Sequence, residues 1–193
     1  MSDRQDLLRD ALKRAASALK QSGPPFALAG SYALWVHGSP EPIHDVDLVV
    51  AERDADAAAA TLSAAGFRIE RTPEDWLLKA HLDNDVVVDV LHRLNGHKVN
   101  ESLLAHTDEF EVLAIRMPVL RPSDIVSVKL ASLSEHNCDF GSLLPVVRAI
   151  REQLDWARIR DETADNDYAA AFLFLTDRLG ISSAGAQAYK GAR

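Results

Sequence analysis

Cysteine is almost absent from this sequence, which contains one, Cys138, in 193 residues. A single cysteine excludes an internal disulfide framework. No apolar run approaches the roughly 20 residues that a membrane-spanning helix needs. Residues 1–20 are charged and lack the continuous apolar stretch of a signal peptide. These absences predict a cytoplasmic protein with no membrane partner.

Positive charge is also scarce. The chain has 21 Lys and Arg residues against 29 Asp and Glu residues, for a formal net charge of −8. Sequence-independent nucleic-acid binding relies on Lys and Arg side chains that neutralise phosphates, so this balance argues against extended DNA binding. A basic cluster does occur in the C-terminal third and consists of Arg148, Arg151, Arg158 and Arg160. It fits a local basic groove or, more simply, a solvated helix surface.

The apolar pattern divides the chain into two halves. Apolar residues make up 47% of the sequence, enough for a core of ordinary size, and the length of 193 residues fits one domain or a domain with a helical appendage. Residues 1–120 have the mixed periods of an α/β core, and residues 121–193 have the period of helices alone. We therefore predict an α/β (α+β) fold with a core at 1–120 and a C-terminal helical extension at 121–193.

Individual elements follow from the same pattern. In the first half we expect helices over 3–21, 30–38 and 54–65, and strands over 26–29, 45–51, 67–71, 76–82, 85–91 and 111–117. Residues 92–109 are polar and show no clear period. In the second half, Ser123 is placed to cap a helix that ends near His136, and two or three more helices follow. The tail from Ile181 is expected to fray.

Two aspartates stand at the start of the predicted strand 45–51. Asp45 and Asp47 are two residues apart, so the pleat of the strand points both carboxylates to one face, roughly 7 Å apart along the chain. Like charges at this spacing repel each other unless water screens them or a cation lies between them. Carboxylate oxygens are ligands that hard divalent cations prefer. The pair predicts a metal site or, alternatively, an acidic strand end exposed to solvent.

A third aspartate interrupts an apolar run. Asp89 lies within Val-Val-Val-Asp-Val-Leu at 86–91, which otherwise has the pattern of a buried strand. A carboxylate in such a run is costly to bury unless it is paired, hydrogen-bonded or metal-bound. If this strand lies beside that of Asp45, Asp89 completes a three-carboxylate cluster; the alternative is a half-exposed strand with Asp89 in solvent. Asp83 and Asp85, just before it, are expected to form a turn.

A Gly-Ser pair joins a predicted strand to a predicted helix. Gly30 and Ser31 follow the strand 26–29, and a helix that begins there presents free backbone N–H groups and the positive end of its dipole. Such a turn can receive a phosphate, which the missing Cβ of Gly30 lets approach closely. The Ser31 hydroxyl adds one donor. Alone the pair is an ordinary turn, but its place before the Asp45 strand makes it more specific.

Together these residues resemble a known superfamily. Ala-Gly-Ser at 29–31, a short helix and His-Asp-Val-Asp at 44–47 are similar to the signature of the polymerase-β-type nucleotidyltransferases, in which a later strand supplies a third acid. The resemblance covers about residues 26–92 and is greatest to small bacterial AbiEii-type, toxin-like transferases and to antibiotic-modifying transferases. It implies a nucleotidyltransferase fold with a mixed sheet flanked by helices. Val-His-Gly at 36–38 replaces the Arg-Gly of the minimal antitoxin-like branch, which argues against that branch.

The resemblance also implies a reaction. A nucleoside monophosphate would pass from a nucleoside triphosphate to an acceptor hydroxyl, with release of pyrophosphate. Asp45 and Asp47 would hold the Mg²⁺ (or Mn²⁺) that accompanies the triphosphate. Asp89 would help to hold a second metal ion and would accept the proton of the attacking hydroxyl. The residues that would bind the triphosphate are Gly30, Ser31 and, in a looser match over 123–129, Lys129.

Several interpretations stay open. The acceptor is an RNA end, a protein side chain or a small antibiotic-like molecule. The same fold also serves as a non-catalytic nucleotide-binding module, such as a toxin–antitoxin component, and an unrelated α/β domain with fortuitous acids is a third reading. Lys129 equally fits a surface lysine whose stem covers apolar surface.

Other conspicuous residues are expected to be structural. His44 borders the predicted acidic pair. The spacing of the later histidines does not suit zinc, so we expect loop positions for His92, His97 and His106. Cys138 is expected to be a small core residue. The tryptophans are expected to pack rather than to stack on bases: Trp35, Trp76 and Trp156.

Overall fold

The computed structural model describes residues 2–73, 75–82 and 86–182. The chain divides into two compact units. The first contains Met1–Val36 and Glu41–Arg121, and the second contains His37–Pro40 and Pro122–Arg193. The predicted turn residues Asp83 and Asp85 and the tail beyond residue 182 lie outside the described residues. In the part of the chain that is described, no helix is long and apolar enough to cross a membrane.

The first unit is built on a mixed sheet of seven strands. Its helices are α1 (Ser2–Ser22), α2 (Gly30–Val36), α3 (Ala55–Ala64) and α4 (Glu101–Ala105). The strands are β1 (Phe26–Ala29), β2 (Val46–Val50), β3 (Arg68–Arg71), β4 (Leu77–Leu82), β5 (Val86–Leu91), β8 (Asp108–Val112) and β9 (Ile115–Val119), while β6 (Arg93–Leu94) and β7 (His97–Lys98) form a separate hairpin. The sheet order is β3-β4-β5-β2-β1-β9-β8, with β2 parallel to β5 and β1 parallel to β9.

The alternating pattern of the central strands separates a core face from a polar face. Val46 and Leu48 on β2 and Val88 and Val90 on β5 have no exposed surface. The residues between them, including Asp47 and Asp89, are only partly buried. Helix α1 contacts β2, β5 and β9 with its apolar stripe, so the sheet and this helix share one core. The pleat therefore leaves the aspartates on the other face.

One predicted strand is wrong. The sequence predicts a single strand over 111–117, but the structure has the hairpin β8–β9 there. Leu113 and Ala114 form its turn with φ angles of 52° and 66°. This left-handed conformation normally favours glycine or asparagine. Because two apolar residues occupy the turn, the usual sequence signal for a hairpin is missing. Strands β6 and β7 and helix α4 lie in the polar stretch 92–109, where the sequence shows no clear period and predicts no element.

The second unit is helical. It contains α5 (Pro122–Ala131), α6 (Phe140–Ile150), α7 (Trp156–Glu162) and α8 (Asp167–Arg178), which agrees with the predicted class of α/β core plus helical extension. Asp155 and Asn166 cap α7 and α8, since their side chains accept backbone N–H groups of the first turns. Ser123 does not have its predicted capping role. Helix α5 begins at Pro122, and the Ser123 hydroxyl accepts the Asp155 N–H at 2.8 Å.

Within the C-terminal third, Arg158 and Arg160 pair with carboxylates. Arg158 Nε lies 2.7 Å from Glu162, and its guanidinium also binds Asp124. Arg160 lies 2.6 Å from Asp177. The charges of Arg158 and Arg160 are thus neutralised by carboxylates of the same unit, as on a helix surface with paired charges.

Candidate active site

Three carboxylates converge on the polar face of the sheet. Asp47 and Asp89 are register partners on the parallel strands β2 and β5. Asp45 lies one residue before β2. Each carboxylate offers an oxygen atom, and the three atoms all lie within 4.8 Å of one another. The structure thus brings together the three residues that the sequence singles out, although Asp47 and Asp89 are 42 positions apart in the sequence.

The cluster suits a divalent cation. Asp45 and Asp47 are half-buried, and the side chain of Asp89 keeps 13% of its surface exposed. Burial raises the pKa of the Asp89 carboxyl, the positive charge of Lys79 opposes that rise, and the negative charge of Asp45 adds to it. Negative charge held this closely in partial burial is favoured by a cation between the groups. Carboxylate oxygens within reach of a single ion are the ligands that Mg²⁺ and Mn²⁺ take.

Lys79 is a residue of this site that the sequence did not reveal. It lies on β4 directly opposite Asp89 in the antiparallel pair β4–β5. Its Nζ atom is 3.2 Å from Asp89 Oδ1 and 3.5 Å from Oδ2. The sequence contains one indication of this role, because Lys79 is a charged residue between apolar neighbours on a predicted strand. Only the register of β4 on β5, however, could assign Lys79 to Asp89.

Gly30 makes room for Asp47. Gly30 opens helix α2 with a φ of +56°, a conformation that other residues rarely adopt. A Cβ atom at this position would lie 1.8 Å from Asp47 Oδ2 and 2.5 Å from its Cγ. Ala29 is the register partner of Asp47 on β1, which places the turn against the carboxylate. Glycine is thus needed for the acidic cluster itself, in addition to its predicted role beside a phosphate. Ser31 is half-buried in the first turn of α2.

Helix α1 holds the segment that leads to Asp45. Arg9 binds Glu41 through two hydrogen bonds, Nε to Oε1 at 2.7 Å and Nη2 to Oε2 at 2.6 Å. Arg4 Nη2 donates to the backbone oxygen of His44 at 3.1 Å. A two-pronged Arg–carboxylate contact fixes geometry as well as charge. His44 is exposed and borders the site through its backbone.

The other predicted residues lie elsewhere. Lys129 is on α5 in the second unit and is half-buried, and its contact with a triphosphate stays a prediction. Cys138 is exposed, so the prediction of a core cysteine is wrong. Trp156 is buried and Trp35 packs edge-on against Tyr32, whereas Trp76 is 40% exposed.

His92 is not the loop histidine that the sequence predicts. Its side chain is 5% exposed. Its backbone N–H donates to Trp76 O at 3.0 Å and its carbonyl accepts the Val99 N–H at 2.9 Å. Among the described residues, its Nδ1 atom has no hydrogen-bond partner. Burial, which disfavours the charged imidazolium, lowers the pKa of His92 below its ordinary 6.5.

Acid should therefore destabilise the protein through His92. Below pH 6.5 the unfolded chain binds a proton there that the folded chain resists, so the free energy of unfolding falls as the pH falls, by at most about 1.4 kcal/mol per pH unit for one group. Denaturant unfolding between pH 7.5 and about 5 should show that the free energy of unfolding falls less steeply with pH for His92→Gln than for the parent. His97→Gln, at an exposed hairpin position, is the control. Equal pH slopes in the parent and in His92→Gln would contradict the assignment.

Comparison with known proteins identifies the fold. No protein-family model and no curated protein matches the chain. Similar solved structures include ANT(2'')-Ia in complex with adenylyl-2''-tobramycin, at 13% identity over 85% of this chain and 95% of that one, with a TM-score of 0.60. The solution structure of the antibiotic-resistance factor ANT(2'')-Ia is also similar, at 11% identity over 91% of this chain and 98% of that one, with a TM-score of 0.59.

A third similar structure is an antigenic nucleotidyltransferase-like protein from Paracoccidioides brasiliensis. It has 14% identity over 88% of this chain and 93% of that one, with a TM-score of 0.50. At such identities the similarity establishes architecture, and it extends over most of both chains. It agrees with the mixed sheet and with the resemblance carried by residues 29–31 and 44–47. The fold of this chain is therefore that of the nucleotidyltransferases.

Proposed function

We propose that the protein is a metal-dependent nucleotidyltransferase that moves a nucleoside monophosphate from a nucleoside triphosphate onto an acceptor hydroxyl. One observation carries the proposal: Asp45, Asp47 and Asp89, from distant parts of the sequence, present oxygen atoms within 4.8 Å of one another on the polar face of a nucleotidyltransferase-type sheet. Two of the three acids lie within paired strands, which hold their backbones at a fixed separation. We expect the protein to act in the cytoplasm.

The acids have separable roles in this proposal. Asp45 and Asp47 would hold the Mg²⁺ (or Mn²⁺) that accompanies the triphosphate, and Asp89 would contribute to a second metal position. Bound metal would supply positive charge to the phosphate oxygens. Asp89 accepts the proton of the acceptor hydroxyl at a carboxylate oxygen. The acceptor oxygen then bonds to the α-phosphorus as the bond to pyrophosphate breaks. Gly30 and Ser31 contact the triphosphate.

A small hydroxyl-bearing antibiotic is the first acceptor to test. The similar structure of ANT(2'')-Ia contains adenylyl-2''-tobramycin, which supports this class and adenylyl transfer. RNA ends and protein side chains are the other acceptor classes. The experiment incubates the protein with Mg²⁺, each labelled nucleoside triphosphate and each acceptor class, and follows pyrophosphate release. Release with none of them, together with retained triphosphate binding, would favour the non-catalytic binding module, such as a toxin–antitoxin component.

Divalent metal should strengthen triphosphate binding. Without a cation the acidic cluster repels the triphosphate, and with one the two are bridged. Calorimetry should give an affinity at least tenfold higher in Mg²⁺ or Mn²⁺ than in chelator, the equivalent of about 1.4 kcal/mol. Asp45→Asn and Asp47→Asn should each remove this difference and abolish transfer. Equal affinity in metal and in chelator would refute the metal dependence.

A further inference from the structure

The backbone of Asp45 is held differently from the backbones of the other two acids. The parallel pairing of β2 with β5 begins at Val46 and Val88, and it includes Asp47 and Asp89 as register partners. Asp45 precedes that pairing, at the end of the irregular segment that joins α2 to β2. Connecting segments are more mobile than the strands that they join. The position of the Asp45 carboxylate therefore depends on what fixes this segment.

Helix α1 fixes the segment at two points. Arg9 contacts both carboxylate oxygens of Glu41, at 2.7 and 2.6 Å, and the Glu41 side chain is only 14% exposed. Arg4 donates to the backbone oxygen of His44 at 3.1 Å. Water and salt screen an ion pair less when one partner is largely buried. The segment is thus tied to α1 four positions before Asp45 and again one position before it.

The chain between these anchors has little freedom. The ring of Pro42 fixes its φ near about −65°. A proline also restricts the residue before it, here Glu41, to extended conformations. Only Ile43 and His44 then remain between Pro42 and Asp45. A displacement of Glu41 is therefore passed on to Asp45 rather than absorbed along the way.

Helix α1 is a firm support for this positioning. Its residues Leu8 and Leu12 are fully buried, and the helix contacts both β2 and β5. These are the strands that carry Asp47 and Asp89. Because one helix packs on the two strands and also holds the segment before Asp45, it sets the position of the third acid relative to the other two.

Glu41 acts in surroundings that contain little water. Tyr32 of α2 is fully buried, burial raises the pKa of its hydroxyl to about 12, and the negative charge of Glu41 adds to this rise. A carboxylate in partial burial is costly once its charge partner is removed. Without Arg9, the Glu41 carboxylate would therefore turn towards water and draw the segment with it.

We propose that Arg9 and Glu41 are positioning residues that hold the Asp45 carboxylate beside Asp47 and Asp89 for metal binding. The inference rests on the proposed function and deepens it, because it names the groups that complete the metal site. Both residues act through Asp45 rather than on the substrate. The N-terminal half of α1 thus serves the site as well as the core.

The test measures Mn²⁺ binding to the full chain without nucleotide, by electron paramagnetic resonance or calorimetry, well below the melting temperature of each variant. Arg9→Met should bind Mn²⁺ at least tenfold more weakly than the parent. Glu41→Gln should also weaken binding, and it carries the test should Arg9→Met fail to fold. The double variant should bind no more weakly than Arg9→Met, because the effects of two residues that act as one pair are not additive.

Arg14→Met is the matched control. Arg14 lies on the same helix, but its Nε atom donates to the backbone oxygen of Ala65, at the end of α3, at 2.7 Å. This variant removes an arginine contact between α1 and a different connection of the same unit. It should keep the Mn²⁺ affinity of the parent, whatever its effect on the melting temperature.

Triphosphate binding supplies a second readout. Arg9→Met should bind the triphosphate as the parent does in chelator and at least tenfold more weakly in Mn²⁺. A purely structural role would lower the melting temperature of Arg9→Met and leave its Mn²⁺ affinity equal to that of the parent. That result, or single losses that multiply in the double variant, would overturn this inference alone and leave the proposed function standing. Absence of Mn²⁺ binding in the parent would overturn both.

Discussion

Replacing Asp89 with asparagine is expected to lower the rate of nucleotidyl transfer at least roughly a hundredfold, the usual scale for a lost general base, while triphosphate affinity stays near that of the parent. Asparagine keeps the size of the side chain and an oxygen that can accept a hydrogen bond from Lys79. It cannot take the proton of the acceptor hydroxyl. Asp47 on β2 and Asp45 just before it would still hold the cation that accompanies the triphosphate.

The measurement combines pyrophosphate release at saturating triphosphate with calorimetry of triphosphate binding. Asp108→Asn is the matched control, because Asp108 lies on β8 of the same sheet, is exposed and pairs with Arg121 at 3.5 Å. This control should retain full transfer. Full transfer by Asp89→Asn together with a lowered melting temperature would instead identify Asp89 as a structural residue of β5.

Replacing Gly30 with alanine is expected to lower metal-dependent triphosphate affinity at least tenfold, or about 1.4 kcal/mol. The new Cβ atom would lie 1.8 Å from Asp47 Oδ2 and 2.8 Å from Asp47 Cβ, so the carboxylate must move. The φ of +56° adds about 1–2 kcal/mol of backbone strain for any residue with a Cβ atom. The expected result is loss of metal binding together with a modest loss of stability.

Gly96→Ala separates these two effects. Gly96 also has a left-handed φ, +79°, but no atom lies within 4 Å of the position that its Cβ would take. Gly96→Ala should therefore lose stability through backbone strain and keep the metal-dependent affinity of the parent. Calorimetry with and without Mg²⁺ and thermal unfolding measure both quantities. If Gly30→Ala binds the triphosphate with metal as the parent does, the turn does not support the acidic cluster.

The local sequence was sufficient to predict a structural feature where that feature depends on only a few neighbouring residues. The two-residue spacing of Asp45 and Asp47 places both on one face of a strand, whatever that strand pairs with. The apolar residues Val46 and Leu48 then face the core, where both are fully buried. Strand β1 has the predicted bounds, Phe26–Ala29, because Gly23-Pro24-Pro25 ends the helix before it and Gly30 turns the chain after it.

Predictions from local residue preferences failed where contacts between distant parts of the chain stabilise the structure. The turn at Leu113 and Ala114 has φ angles that their side chains disfavour, so the pairing of β8 with β9 must hold it. His92 is polar and follows a strand, which favours a loop, yet the surrounding structure buries it. Cys138 is of a type that is usually buried, yet it is exposed. For the turn and for His92, tertiary packing outweighed the preference of the residue.

The acidic pair, the turn at Gly30 and the alternation of the strands were determined by the sequence itself, because neighbours along the chain set the direction of each side chain. The partners of these groups were decided only by the tertiary structure. Asp89 meets Asp47 because β5 pairs in parallel with β2, and Lys79 meets Asp89 because β4 pairs with β5 in one register. A shift of either register by one residue would turn these side chains to the opposite face. Strand order and register depend on the packing of the whole sheet, which no short segment specifies.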